Sequence, residues 1–520
     1  MEPSTATSSI TVVEHTNFAV SDRGGDMLPG GYHGFFAGDT RFLSRFVVRL
    51  NGKRMERLSV GDTEHDRATF YLANPRLPEV RAASVVVFRD RHINHGLEER
   101  IRLISYSPAP INVQLSVEVE ADFADIFEVR GTRRRLRRVV AVERSPRRAR
   151  FSYENRGYLR ATDVTFSRPV TPTDRGATIE VRLERGKPWD LNVTVNTHRS
   201  RRRGVPPLPP ERRIQPERVR AWLGGLPTLR SSDHRLEVAW RQAGRDMASL
   251  LLTGPAGNFL PAAGLPWYLA VFGRDACITA LQTMLLGMEI PYGTLRQLSL
   301  YQGMRVDQWR EEEPGKIPHE VRTGELATLG HVPFARYYGS VDATPLFVML
   351  FAAACRWSGW LPAAAGQAPG VNVGVLPEPL GEFLPAVERA MGWIDSRCDA
   401  DGLLWYDPGH RRGIVNQVWK VSSDSMRYGD GRIAEPPIAA VEVQGYVAAA
   451  RRGMAEVYAT MGRDDDAEHQ ARRAGRLARV IEEAYWMADE GTYALGLDAG
   501  RRQIDAVASN AGQLLWTGVP

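Results

Sequence analysis

Four short stretches concentrate the side chains able to do chemistry: GLPWYLAVFGRDACITALQ (264–282), PGKIPHEVRTGELA (314–327), ARYYGSVDATPLF (335–347) and NQVWKVSSDSMRYGDGRIAEPPIAAVEVQG (416–445). In the first, Arg274 and Asp275 follow Gly273 where a helix begins. Helix capping by Asp275 is the plain reading. The functional one is an Arg–Asp pair gripping sugar hydroxyls, with Trp267 as a stacking face. The second holds His319, Glu320, Arg322 and Glu325 within seven residues. A zinc protease needs a second His one helical turn on, and that His is absent. His319 and Glu320 therefore suit substrate hydrogen bonding better than a metal. In the third, Asp342 stands where a helix starts, as an N-cap residue, a ligand residue, or both. The fourth carries Trp419, Lys420 and Asp424, with Trp405 and Tyr406 before it and Glu442 on the helix that follows.

Acids and aromatics without a Cys/His set, a nucleophile elbow or a phosphate loop point to carbohydrate chemistry. Glycoside hydrolysis needs two carboxyls across the bond, one kept protonated, and aromatic platforms suit the sugar face. The plain alternative is a scatter of structural acids. No cofactor and no metal are expected. The three cysteines, 277, 355 and 398, are widely spaced and form no CxxC pair, which argues against a disulfide framework or zinc site and fits a reducing compartment.

These loops need elements to hold them. Over 520 residues, 43% hydrophobic and 25% charged, the chain is long enough for two or three soluble domains. Residues 1–198 read as β, with alternating runs such as RFVVRLNG, ASVVVFRD, INVQLSVEVEA and ATIEVRLERG, the pattern of an antiparallel sandwich. Residues 199–231, rich in Pro and Arg, read as a linker. Residues 232–520 carry about seven long, Ala-rich helical stretches joined by polar loops.

The net charge of +6 is almost all Arg. Runs at 133–138 and 200–204 lack interleaved aromatics and are balanced by acids elsewhere, so a solvated surface is favoured over a nucleic-acid groove. No apolar run reaches membrane-spanning length, and no secretory leader is visible at the N-terminus. The expectation is a cytoplasmic protein that binds neither nucleic acid nor membrane.

Several of these motifs, in order along the chain, resemble the bacterial and archaeal glycogen-debranching, amylo-α-1,6-glucosidase-like family. They are NFAVSDRGGDMLPGGYHGFFAGDTRFLSRFVVRLNGK (17–53), ADFADIFEVRG (121–131), PWYLAVFGRDACITALQ, GKIPHEVRTGELA, YYGSVDATPLFV, NQVWKVSSDSMRYGDGR and AVEVQGY. The resemblance implies an N-terminal β-sandwich followed by an (α/α)6 toroid, with an α-glucan or oligosaccharide substrate bound in a funnel of connecting loops. It implies hydrolysis of α-1,6 branch links by inversion, with carboxyls about 6.5–9.5 Å apart to hold the attacking water. Trp267, Arg274, Asp275, His319, Glu320, Asp342, Trp419, Lys420 and Glu442 would lie on pocket loops.

Two departures from the family pattern matter. Where the family has an Asp after Trp–Lys, matching the general acid of related barrels, this chain has Val421. Asp424, three residues on, is the expected replacement acid, on the same face if the segment is helical. The second departure is that only part of the barrel's helices are present. The partner base is expected beyond Pro520, and the chain is expected to be an inactive fragment. A non-catalytic glucan-binding protein, and a related barrel acting on a trehalose-like, mannosyl or rhamnosyl substrate, are the alternatives. Asp39, Thr40 and Arg41 read as a turn network packing on the barrel.

Overall fold

The computed structural model describes residues 9–519 apart from 62, 79, 132–135, 202–215, 255–256, 362–374 and 410–412. Alternating hydrophobicity produces the N-terminal strands as expected. In Leu97–Ser105 every second side chain from Leu97 is buried, as a half-buried pleated strand requires. Glu99 falls in that inward row. It is tolerated because Arg89 Nε and Arg91 Nε donate to its two oxygens at 2.6 and 2.7 Å, the full pairing a buried charge needs.

Among the described residues the strands form antiparallel sheets. An eight-stranded sheet runs, edge to edge, through Ala141–Ser145, Arg148–Asn155, Tyr158–Phe166, Pro188–Arg201, Leu97–Ser105, Val85–Ile93, Arg67–Ala73 and Glu56–Val60. A five-stranded sheet orders Thr171–Thr173, Gly176–Leu183, Ile111–Glu120, Arg45–Leu50 and Lys53–Arg54. The two share one core containing Phe46, Val87, Leu103, Leu115 and Val193. A separate four-stranded sheet, Ser9–Glu14, Asn17–Asp22, Gly34–Ala37 and Thr40–Leu43, turns Phe18 and Phe36 toward Trp267 and Leu269. That third core joins the β region to the helical one.

The described residues hold eleven α-helices: α1 Ile126–Val129, α2 Pro216–Gly224, α3 His234–Ser249, α4 Gly273–Gln282, α5 Glu289–Tyr301, α6 Glu325–Thr328, α7 Ala343–Trp357, α8 Leu380–Arg397, α9 Val441–Thr460, α10 Asp464–Tyr485 and α11 Gly512–Thr517. Within the 199–231 stretch, the last sandwich strand continues to Arg201 and α2 occupies Pro216–Gly224. Proline is well placed at a first helical position, where its missing N–H is not needed.

α4, α7, α9 and α11 pack successively on one another, while α5, α8 and α10 each follow and cover the preceding member. The inner members are the more apolar: α7 buries residues around most of its circumference, Phe347, Val348, Leu350 and Phe351 among them. α10 buries only the stripe of Ala467, Gln470, Ala474, Leu477, Ile481 and Tyr485, and its first turn carries Asp464, Asp465 and Asp466, where the helix dipole favours negative charge. The architecture is an antiparallel β region followed by an (α/α)6-type helical region.

Candidate active site

α4, α7 and α9 begin at the same end of the helical region, and each has an acid at its N-cap or in its first turn. Asp275 lies in the first turn of α4, Asp342 is the N-cap residue of α7, and Glu442 lies in the first turn of α9. None of these acids caps its helix through its side chain. Arg274 is the hub instead. Its Nη1 donates to Asp342 Oδ2 at 2.9 Å and to the Val418 carbonyl at 2.8 Å, and its Nε lies 3.6 Å from Asp275. The guanidinium thus ties α4 to α7 and to the loop carrying Trp419.

Gly273 permits this arrangement. Val271–Phe272 pairs with Glu320–Val321, and a Cβ at position 273 would sit 2.1 Å from the Pro318 carbonyl. Only glycine lets the 314–321 loop cross the start of α4 so closely. The crossing delivers His319, whose ring lies edge-on to Phe272 and Tyr337.

The electrostatics are those of a buried cluster of charges. Burial works against the charge on Arg274, and Asp342 and Asp275 outweigh it, leaving its pKa above the ordinary value. Burial pushes the Asp275 carboxyl up against the pull of Arg274. Burial, reinforced by Arg274 and Arg322, holds His319 well below its usual range, so the imidazole is neutral at neutral pH. Glu442 is fully buried and is pushed up to about 7 by that burial. The Asn510 side chain and the Trp419 backbone oppose the rise, and Asp342 adds to it. Tyr406, Tyr446 and Tyr485 surround Glu442 closely enough for its charge to raise their own pKa values further, beyond what burial does.

The site is also marked by buried polar atoms without a protein hydrogen-bond partner. They are His319 Nδ1, Ser340 Oγ, Asp342 Oδ1 and Asp275 Oδ2, whereas the Glu442 carboxyl meets the Asn510 side chain and the Trp419 backbone. Buried polar groups are ordinarily paired, and each orphan costs about 1–3 kcal/mol. Donors and acceptors clustered at one end of three helices suit a ligand rich in hydroxyls. Among the described residues no group of three or more His, Cys, Asp or Glu side chains is placed to hold a metal ion.

The other expected site residues lie elsewhere or act differently. Trp267 offers no free face to a sugar: it is buried at the junction with the β region, edge-on to Phe36 and Tyr32, and its carbonyl accepts from Arg322. Glu320 is bound by Arg322 Nε at 2.8 Å, and the same guanidinium reaches Asp39 of the β region at 3.0 Å. Glu320 therefore belongs to a buried ion network across the domain junction, although burial raises its pKa despite Arg322. Trp419 remains 37% exposed, with Lys420 Nζ 5.9 Å from its ring centre.

Asp424 is not in the buried cluster. Its side chain is 67% exposed, with Arg427 at 3.4 Å. Residues 422–425 form a bend and turn, not a helix, so the three-residue offset from Val421 does not preserve a face. Val421 itself is 37% exposed.

Residues that sequence reasoning did not single out complete the site. Asn510 is wholly buried beside Glu442. Asn416 accepts from the Tyr406 hydroxyl at 2.9 Å and donates to the Ser422 carbonyl at 2.7 Å. Gln417 passes its carbonyl to Val341 N at 2.9 Å. The available signal was the polar pair Asn416–Gln417 and the run SNAGQ (509–513), which offer donors and acceptors but no charge.

Residues 12–194 match the family model of the N-terminal domain of (some) glycogen debranching enzymes. No curated protein matches the chain in sequence. Among solved structures, a bacterial glucoamylase complexed with acarbose aligns with a TM-score of 0.51 at 9% identity, covering 97% of this chain and 70% of that one. A putative kojibiose phosphorylase from the human microbiome aligns at 0.49 with 9% identity, over 95% and 70% of the two chains. The family rhamnosidase GH78 of Bacillus sp. GL1 aligns at 0.41 with 12% identity, over 78% and 39%. At such identity the glucoamylase likeness shows a common fold.

Proposed function

We propose, from the premise that residues 12–194 belong to the N-terminal domain family of glycogen debranching enzymes, that this chain is a glycoside hydrolase acting on α-glucans. Its substrate would be the α-1,6-linked glucosyl unit at a branch, released with inversion. The observation that carries this reading is the convergence of Asp275, Asp342, Glu442 and Arg274 at the starts of three packed helices, with one oxygen each of Asp275 and Asp342 left without a protein partner. Arg274 with Asp342 would grip sugar hydroxyls, Trp419 would present the stacking face, and Glu442, pushed up to about 7 by burial and so partly protonated at neutral pH, would hydrogen-bond a sugar hydroxyl.

Proton delivery to the leaving oxygen divides the possibilities. Asp424 is the acidic side chain next along the loop from Val421 and takes the proton-donor role in this reading, with its turn shifting inward over bound substrate. The second reading, a glucan-binding protein without turnover, is favoured by Val421 itself, since an isopropyl group donates no proton. One set of proteins separates them: the chain as given, Asp424→Asn and Val421→Asp, each assayed for glucose release from a limit dextrin and for glucan binding. Asp424 as donor predicts at least a ~100-fold loss in Asp424→Asn with binding retained. Turnover appearing only in Val421→Asp would establish the binding reading. Proton NMR of the first-formed anomer tests inversion, which requires β-glucose from an α-link.

A further inference from the structure

We infer that Glu311, in the acidic run EEEP, is a positioning residue that clamps the loop carrying Trp419 and Val421 against the Arg274 cluster; this rests on the hydrolase reading for its effect on turnover. Asp307 and Glu312 exchange backbone hydrogen bonds at 3.0 Å each, closing a tight hairpin. Glu311 is its last loop residue and sits at φ +52°. That left-handed conformation is ordinarily given to Gly or Asn in such turns. A glutamate there is held against its backbone preference, and its side chain shows the return.

One Glu311 oxygen accepts from the Tyr337 hydroxyl at 2.9 Å, and the other accepts from Gln417 Nε2. The Tyr337 hydroxyl in turn accepts from Ile414 N at 2.9 Å. Gly413 is pressed against this pair so tightly that a Cβ would lie 2.2 Å from Tyr337 Oη and 2.7 Å from Glu311 Oε1. The far side of the same segment is fixed by Val341 N on the Gln417 carbonyl and by Arg274 on the Val418 carbonyl. Residues 413–418 are thus gripped from both sides, and the chain is released into exposed Trp419 and Val421 immediately afterwards. The stem that Glu311 holds sets where the stacking ring and the proton-donating turn stand relative to Arg274 and Asp342.

Glycine at this position would relieve the backbone and delete only the clamp. Glu311→Gly, Glu311→Gln and the unaltered chain are compared by amide hydrogen exchange and by kcat and KM on panose, an α-1,6-linked glucosyl maltose. Glu311→Gly is expected to speed exchange of 413–418 at least ~10-fold while leaving the sandwich strand Leu97–Ser105 unchanged. It is expected to raise KM about 10-fold and lower kcat as well, because both stacking and donor geometry are loosened. Glu311→Gln, which can keep the Tyr337 bond, falls between the two. Unchanged exchange at 413–418, or an equal rise in Leu97–Ser105, overturns the clamp. Faster local exchange with kcat and KM both unaltered overturns the positioning role. Faster local exchange in a chain whose unaltered form does not cleave panose leaves the clamp standing and removes the hydrolase reading.

Discussion

Glu442 has a pKa near 7 in the folded protein against about 4.5 in an unfolded chain, raised first by burial. The folded state therefore favours its protonated form. The stability this confers is fully present below about pH 4.5 and is lost as the pH rises through about 7. At ~1.4 kcal/mol per unit, the ionised carboxylate costs the fold up to about 3 kcal/mol above that window. Glu442→Gln should accordingly gain about 2–3 kcal/mol over the unaltered chain at pH 8 and almost nothing at pH 4.5, read from urea midpoints. Under the hydrolase reading the same variant alters a sugar-binding contact and weakens glucan binding by about 10-fold. The acid and its helix were legible in AVEVQGY, since a Glu in the first turn of an apolar helix is easily seen. Its partner Asn510 was not, because 68 positions separate two residues whose meeting depends on packing of α9 with the residues leading into α11. Glu311 was hidden differently: nothing in three consecutive glutamates says which one turns inward, and a positive φ leaves no mark on the sequence.

The short helix α1 shows how a local device serves the site from a distance. Asp125 accepts from Phe127 N at 3.0 Å, and Glu128 accepts from Asp125 N at 2.9 Å, completing a capping box. The second Asp125 oxygen accepts from Leu326 N at the start of α6 in the helical region, at 2.9 Å. Asp125→Ala is expected to lose both, at about 1–2 kcal/mol for the cap alone, and Asp125→Asn to recover most of it; thermal melts at pH 6 distinguish them. Strands and long helices followed from period and composition, because a two-residue or 3.6-residue repeat is written directly in the side chains. The 420–425 segment defeated the same reasoning. Three residues bring two side chains to one face only in a helix, and here the Ser425 hydroxyl bonds the Lys420 and Ser422 carbonyls to close a turn. Trp267 misled for a related reason: an aromatic residue beside glycines in a polar loop looks available, while the Phe36 that covers it lies in a different sheet.

At the scale of the whole molecule, charge holds the two regions together. Arg322 sits between Glu320 and Asp39, and Arg138 of the β region sits between Glu128 and Glu325 of α6, both guanidinia largely buried. Glu325 also accepts from Tyr153 at 2.6 Å and Asn155 at 2.7 Å. Removing the shared cation from such a buried set strands its carboxylates, so Arg322→Ala should cost about 3–5 kcal/mol. A urea titration would show this as a lowered midpoint, or as the splitting of one transition into two if the regions unfold separately. The clustered acids Asp275, Asp342 and Glu442, by contrast, are fixed at helix beginnings. A helix anchored at its start holds its first turn still whatever happens downstream, whereas one residue inserted before that turn rotates it by about 100°. The far ends of α4, α7 and α9 are thus free to lengthen, shorten or fray without disturbing the chemistry, while the few residues preceding 275, 342 and 442 tolerate no change in number. Insertions and deletions in natural or engineered variants should fall on the opposite end of the helices from the acid cluster.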